Sequence, residues 1–383
     1  MNRAPPQFPA PDPAALAVSR ELTARIAQEI EQAGGWISFD RYMQRALYEP
    51  GLGYYSGGST KLGAGGDFVT APELGDALAR AAATVLAPVL RGSSAPTLLE
   101  LGAGSGAWAE QLIRALDAAG AGPRRCLILE PSAELRDRQR RRLAPLGSRA
   151  AWLGRLPEQA ICGAIVANEV VDALPAAVFV KRAGRILPLG VRHDSQGLAW
   201  SEGPEQPELS AAVAALENKL PRPLPDGYRS EIRLGLAAWI AALGASLERG
   251  GLLLVDYGYD RKDYYRPERS SGTLMCHYRH RAHADPFLWP GLQDLTAWVD
   301  FSACADAARN AGFDVAGYTT QGQFLVEALG AGLLGRGEPT PQALSALKTL
   351  VLPGEMGERF KILWLTKGVD GLPLPGRDLR RRL

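Results

Sequence analysis

The chain has 383 residues, 46% of them hydrophobic, with 43 Lys and Arg against 41 Asp and Glu for a net charge of +2. That length supplies a full core for one large domain or two moderate ones, and the balanced charge argues neither for nor against nucleic acid or an acidic membrane; no nucleic-acid partner is expected. Four scattered cysteines (Cys126, Cys162, Cys276, Cys304) exclude a disulfide frame or zinc cage, and the longest apolar-rich run, Leu234 to Leu247, is too short to cross a bilayer.

Residues 1–13 carry five prolines and few large apolar groups, which predicts a disordered lead-in. Residues 14–94 form an N-terminal helical extension with a lid loop. Asp12-Pro13 caps and opens its first helix, with Leu22, Ile26 and Ile30 on one face and Gly34-Gly35 as the stop. A second helix runs from near Ser38 to before Pro50. Between Pro50 and Gly66 lies a long loop rich in Gly, Tyr and Ser, and Tyr54 and Tyr55 are candidates to line a substrate slot. Thr70-Ala71-Pro72-Glu73 has the form of a capping box opening an alanine-rich helix to about Leu90.

From Ala95 strand and helix patterns alternate, with strands at 97–101, 126–130, 163–168 and 251–256 and helices near 106–119, 132–143 and 231–248. Alternation of this kind predicts an α/β fold with a mostly parallel sheet and right-handed crossovers. The core spans 95–368, with insertions at 177–230 and 257–300; the second is expected to cap the strands' carboxyl ends. Val315–Leu325 and Phe360–Lys367 read as two C-terminal strands, an antiparallel pair, and 369–383 as a solvated tail. The N-terminus has neither an apolar signal core nor an Arg- and Ser-rich amphipathic stretch, so a cytoplasmic protein without membrane insertion is expected.

The most informative stretch is Leu98-Leu99-Glu100-Leu101-Gly102-Ala103-Gly104-Ser105-Gly106. It predicts a buried strand, a tight turn where a ligand approaches the backbone, and a helix start. A P-loop is excluded because Gly106 is followed by Ala107 and Trp108 instead of Lys and Ser or Thr. The looser dinucleotide pattern is met by Gly102, Gly104 and Ala107, but Glu100 would oppose a pyrophosphate. A carboxylate there suits a cationic nucleoside ligand such as S-adenosylmethionine, and Glu130 ends the next strand where either cofactor's ribose would want an acceptor. With Asn168 and Asp256, these residues place four polar groups at four strand ends.

Several blocks, in order, resemble the MidA-like family, which comprises the mitochondrial complex I assembly methyltransferase and its bacterial relatives. They are Tyr48–Tyr55, Gly66–Glu73, Leu98–Gly106, Asn168–Pro175, Asp256-Tyr257-Gly258, Gln293–Phe301 and Met356–Phe360, within about residues 20–368. The resemblance implies a Rossmann-like class I methyltransferase fold with S-adenosylmethionine held around Glu100, Gly102, Ala103, Gly104, Gly106, Glu130 and Asn168. It also implies methylation of a protein arginine, with a respiratory-complex subunit or another cytoplasmic protein as partner. Position 168 is Asn where the mitochondrial form has His, and the turn reads Ala103-Gly104-Ser105 where that form has Pro-Gly-Arg. Both departures weaken transfer of the mitochondrial substrate.

A guanidinium is a poor nucleophile while protonated, so an arginine site needs carboxylates that hold its planar fork and take up a proton. Glu169 and Asp172, directly after a strand end, fit that role, and Asp67 on the glycine-rich loop is a further catalytic candidate. His277, His280 and His283 with Cys276 are interleaved with Arg279 and Arg281, which argues against a metal, and none is expected. A small molecule or another protein side chain as acceptor, or an assembly factor that binds cofactor without much catalysis, are the alternative readings.

Overall fold

In the computed structural model, residues 8–57, 70–335 and 340–383 are described. The central sheet contains β1 (Thr97–Leu101), β2 (Arg125–Leu129), β3 (Ala150–Leu153), β4 (Ile161–Asn168), β5 (Leu247–Tyr259), β6 (Asp314–Thr320) and β7 (Phe360–Lys367). Their spatial order is β6-β7-β5-β4-β1-β2-β3, and the short strand Val299–Asp300 joins the end of β5. Only β7 runs antiparallel to its neighbours.

All five residues of β1 are buried, as expected of a central parallel strand covered on both faces. Successive side chains point to opposite faces. Leu98, Val166, Leu253 and Trp364 pack with helices Ala77–Arg91 and Ala107–Ala118, whereas Leu99, Ile165, Leu254 and Leu363 pack with Leu236–Ser246 and Phe301–Asn310. The chain leaves β1 toward β2 and β3, then returns to β4 on the other side. That reversal opens a crevice at the carboxyl ends of β1 and β4, where ligands of such sheets bind.

The N-terminal helix Pro13–Gln32 is capped by Asp12, which accepts from the Ala15 N–H at 2.9 Å, and it buries Leu22, Ile26 and Ile30. Together with helix Phe39–Tyr48 it packs on Ala173, Val178 and Leu295. This brings the N-terminal region against the turn after β4 and the insertion that follows β5.

Several local expectations change. Thr70 makes no side-chain cap, and the predicted single helix breaks at Gly75 into Ala71–Leu74 and Ala77–Arg91. Glu73, drawn to Ser105 and Arg142, is unavailable for a capping box. The helix expected from 231 begins at Leu236, because Arg229–Ile232 is taken up as a strand beside Ala177–Arg182. Residues 321–325 are helical, so β6 ends at Thr320, whose side chain caps helix Gln321–Leu329.

The insertion at 177–230 carries strands Ala177–Arg182, Arg185–Asp194 and Gly197–Glu202 and helix Pro207–Glu217, and leads into the strand Arg229–Ile232. The tail has no buried residue, as expected of a solvated segment, but it is also anchored: Leu372 and Leu374 pack on the core, Leu379 N–H donates to Tyr318 O at 2.8 Å, and Arg382 pairs with Asp260 at 2.8 Å. In the lead-in, Phe8 lies 4.8 Å from the His283 ring, and Asp12 is fixed as a cap, so 8–13 are held where disorder was expected. Residues 1–7 of that lead-in, and Asp67 with Gly63, Gly65 and Gly66, lie outside the described residues.

Candidate active site

Two cavities meet at the carboxyl ends of β1 and β4. The first, about 350 Å³, is lined by Glu100, Gly102, Ala103, Gly104, Glu130, Asn168 and Glu169, with Tyr48, Tyr55, Thr70, Pro72 and Glu73 also on its wall. The second, about 390 Å³, is lined by Glu169, Asp172 and Asp294 and by Tyr55, Tyr257, Tyr259, Trp298 and Phe360. Glu169 and Tyr55 belong to both walls.

In the first cavity the glycine turn has Gly102, Gly104 and Gly106 at φ +61°, +54° and +81°, a backbone that side chains rarely adopt. A Cβ at Gly102 would also stand 3.3 Å from Val170 Cγ2. Gly106 is placed away from the cavity and starts helix Ala107–Ala118. Glu100 is buried, and its Oε2 has no hydrogen-bond partner among the described residues. Burial, reinforced by the charge of Glu130, pushes its carboxyl up to about 8. An orphaned acid beside a bare glycine turn is a ready seat for a cationic ligand group.

Glu130 is held differently. Its Oε1 accepts from Ser132 N–H and its Oε2 from Gln139 Nε2, both at 3.0 Å. Gln139 was not singled out from the sequence, yet it is fully buried, donates also to Gly104 O at 2.9 Å, and accepts from the Trp152 indole at 2.9 Å. A single uncharged polar residue in an arginine-rich helix, Ala133–Arg142, offered little signal beyond its inward position.

The second cavity is mainly acidic and aromatic, with His277 and Arg359 also on its wall. Glu169 sits just past β4 at φ +53° and accepts from Asn168 Nδ2 at 3.1 Å. Desolvation, then the charge of Asp172, pushes the Glu169 carboxyl up to about 8. Asp172 is buried; its Oδ2 accepts from the Tyr257 hydroxyl at 2.6 Å, and its carboxyl is raised chiefly by burial. Asp294 accepts from the Tyr55 hydroxyl at 2.9 Å. Asp256, expected at a ligand-facing strand end, instead binds backbone: its Oδ2 accepts from Val171 and Asp172 N–H at 3.0 and 3.2 Å.

The segment after β5 forms a three-stranded sheet of Met275–Tyr278, Arg281–His283 and Asp294–Thr296, several of whose residues line the second cavity. His277 pairs across from Ala282, whereas Cys276 pairs across from His283. Alternation therefore puts His277 and His283 on opposite faces. Among the described residues no group of His, Cys, Asp and Glu is arranged to hold a metal ion. No described helix is long and apolar enough to cross a membrane.

A family described as putative S-adenosyl-L-methionine-dependent methyltransferases matches residues 77–319, more than half of the chain. The chain belongs to that family. A "likely methyl transferase" from Burkholderia thailandensis, solved with S-adenosyl-homocysteine bound, is 41% identical, with a TM-score of 0.90 over 97% of this chain and 99% of that one. Among curated proteins, the mitochondrial "protein arginine methyltransferase NDUFAF7 homolog" of Drosophila melanogaster is 27% identical over 92% of this chain and 85% of its own length. The zebrafish Danio rerio protein of the corresponding name, protein arginine methyltransferase NDUFAF7, is 27% identical over 90% and 86%. This methyltransferase has an α/β fold with a mostly parallel sheet, and its cofactor is S-adenosylmethionine.

Proposed function

We propose that the chain transfers a methyl group from S-adenosylmethionine to an arginine side chain of a protein. The observation that carries this reading is the second cavity, which shares Glu169 with the first and gathers three carboxylates between aromatic walls. Such a slot suits a planar cation, since carboxylates take the guanidinium fork and aromatic faces favour positive charge. The names of the fruit-fly and zebrafish relatives, both protein arginine methyltransferases, support the same acceptor.

In this reading the first cavity holds the cofactor. Glu100 takes its cationic portion, Glu130 accepts from its ribose, and Gly102, Ala103 and Gly104 let it lie against the backbone. Bound there, S-adenosylmethionine supplies a methyl group on a sulfonium, open to in-line displacement.

The residues of the second cavity prepare the nucleophile. Asp172, held by Tyr257, orients the guanidinium, and Glu169 takes the proton that the alkylated nitrogen loses as its new N–C bond forms. A carboxyl near 8 stays protonated in the empty cavity and ionises when a cation arrives, so Glu169 is matched to a proton-accepting task near neutral pH. Tyr55, packed on Tyr48 and bonded to Asp294, separates the cavities and helps exclude water.

The test is incubation of the protein with extract from a strain lacking it and methyl-labelled S-adenosylmethionine, followed by hydrolysis of the protein fraction to amino acids. Label in methylarginines is expected. Label confined to other side chains or to small molecules would replace the acceptor.

A further inference from the structure

Residue 172 is held on three sides. Asp256 accepts from its N–H, Tyr257 donates to its carboxylate, and Arg233 donates to its carbonyl through Nη2 at 2.8 Å. The same guanidinium reaches across to the insertion after β5, donating to Trp298 O through Nη1 at 2.8 Å and to Ala297 O through Nη2. A backbone bond from Ala297 N–H to Asp172 O at 3.1 Å closes the joint. Arg233 follows strand Arg229–Ile232, so one side chain links three separate parts of the chain.

We infer that Arg233 is a positioning residue of the acceptor cavity, fastening the Asp172 turn to the segment bearing Asp294 and Trp298 and balancing the buried carboxylates with its charge. The inference rests on the reading of the second cavity as the acceptor site. Truncating Arg233 would remove a donor from the carbonyls of residues 172, 297 and 298, leaving the first with Ala297 N–H, and would leave the acids without this cation.

The charge has a specific electrical consequence. Burial raises the carboxyls of Asp172 and Asp256, Glu169 adds its own charge to Asp256, and Arg233 opposes the rise in both aspartates. In a separate cavity that Arg233 also lines, Glu231 is taken up by Thr273 and Leu274 N–H, and Asp300, pushed up to about 6 by burial, faces Arg261. Tyr264, Tyr265 and Cys304 are driven by burial toward their neutral forms. Asp172 and Asp256 are therefore the acids whose ionised forms Arg233 favours.

Where an acid is protonated, loss of the cation costs only hydrogen bonds; where it is ionised, the lost attraction adds to that cost. Thermal melts of the S-adenosyl-homocysteine-loaded protein, as wild type, R233K and R233M, over the whole pH range in which the wild type stays folded test this. The deficit of R233M relative to wild type should widen with pH by about 2 °C or more, whereas that of R233K should stay constant. R233Q is the second neutral variant should R233M not fold.

A deficit of neutral variants that is constant with pH would overturn the inference, as would a widening for R233K equal to that of R233M. On the same preparations, calorimetry with N-acetyl-arginine amide should give roughly 3- to 10-fold weaker binding to R233K than to wild type, because a single ammonium cannot span the three carbonyls. Equal affinity would also count against it. If wild type prefers N-acetyl-arginine amide no more than the neutral citrulline analogue, the arginine reading fails. The melts still decide the role of Arg233, because they require no acceptor.

Discussion

The Tyr257 hydroxyl donates to Asp172 Oδ2 at 2.6 Å, while Asp172 Oδ1 is buried with no hydrogen-bond partner among the described residues. One oxygen is thus fixed and the other left for an incoming donor. Tyr257→Phe removes a bond to a charged group, worth roughly 1.5–3 kcal/mol. Methyl transfer should fall roughly 10- to 100-fold, with the acid limb of the rate profile moved to higher pH because the carboxylate is harder to ionise. S-adenosyl-homocysteine affinity should hold within about 3-fold, less than 1 kcal/mol, since Tyr257 lies only on the second cavity's wall. Steady-state rates and calorimetry on the same protein check both statements.

Gln139 links Gly104 O, Glu130 Oε2 and the Trp152 indole from a fully buried position. Gln139→Leu leaves those groups short of a partner, which should destabilise the fold by about 2–4 kcal/mol. It should also weaken S-adenosyl-homocysteine binding about 10-fold, or 1.4 kcal/mol, by loosening the turn and Glu130 together. Denaturant melts and calorimetry measure the two effects.

Glu100 is pushed up to about 8 by burial from an ordinary value of 4.5. Its folded form therefore keeps a proton that the unfolded chain gives up. The stability this provides is complete below about pH 4.5 and is lost as pH rises toward about 8. The ligand-free melting temperature should accordingly decline over that range. An ammonium group seated beside the acid favours its ionised form, so binding of the amino-acid portion of S-adenosyl-homocysteine near pH 7 should release protons, up to about one. Calorimetry in buffers of differing ionisation heat reads that release, and Glu100→Gln should abolish it.

The central strand and its turn were legible because β1 is apolar on both faces and only glycine fits the positive φ that follows. The same held for Glu169 and Asp172, whose place after an apolar strand brought them to a cavity wall. Long-range pairing was not legible. Arg229–Ile232 continues into an apolar helical run, and only its partner at Ala177–Arg182 makes it a strand. Likewise, Asp256 resembled the other strand-end acids, but a turn 84 residues away claims its Oδ2. Arg233 and Gln139 act through backbone carbonyls and neighbouring side chains brought together by the fold, for which the sequence offers no local pattern. Glu73 followed a valid local rule for a cap until Ser105 and Arg142 outcompeted it.

The most direct measurement compares Glu169→Gln with wild type for S-adenosyl-homocysteine affinity and for labelled-methyl incorporation, on the same preparations. The substitution keeps shape but removes the group that takes the proton and faces the acceptor's charge, at a cost of roughly 2–5 kcal/mol. The account predicts cofactor affinity within a few-fold of wild type and incorporation lower by about 30- to 1,000-fold or more. Undiminished incorporation would contradict it and remove Glu169 from the chemistry.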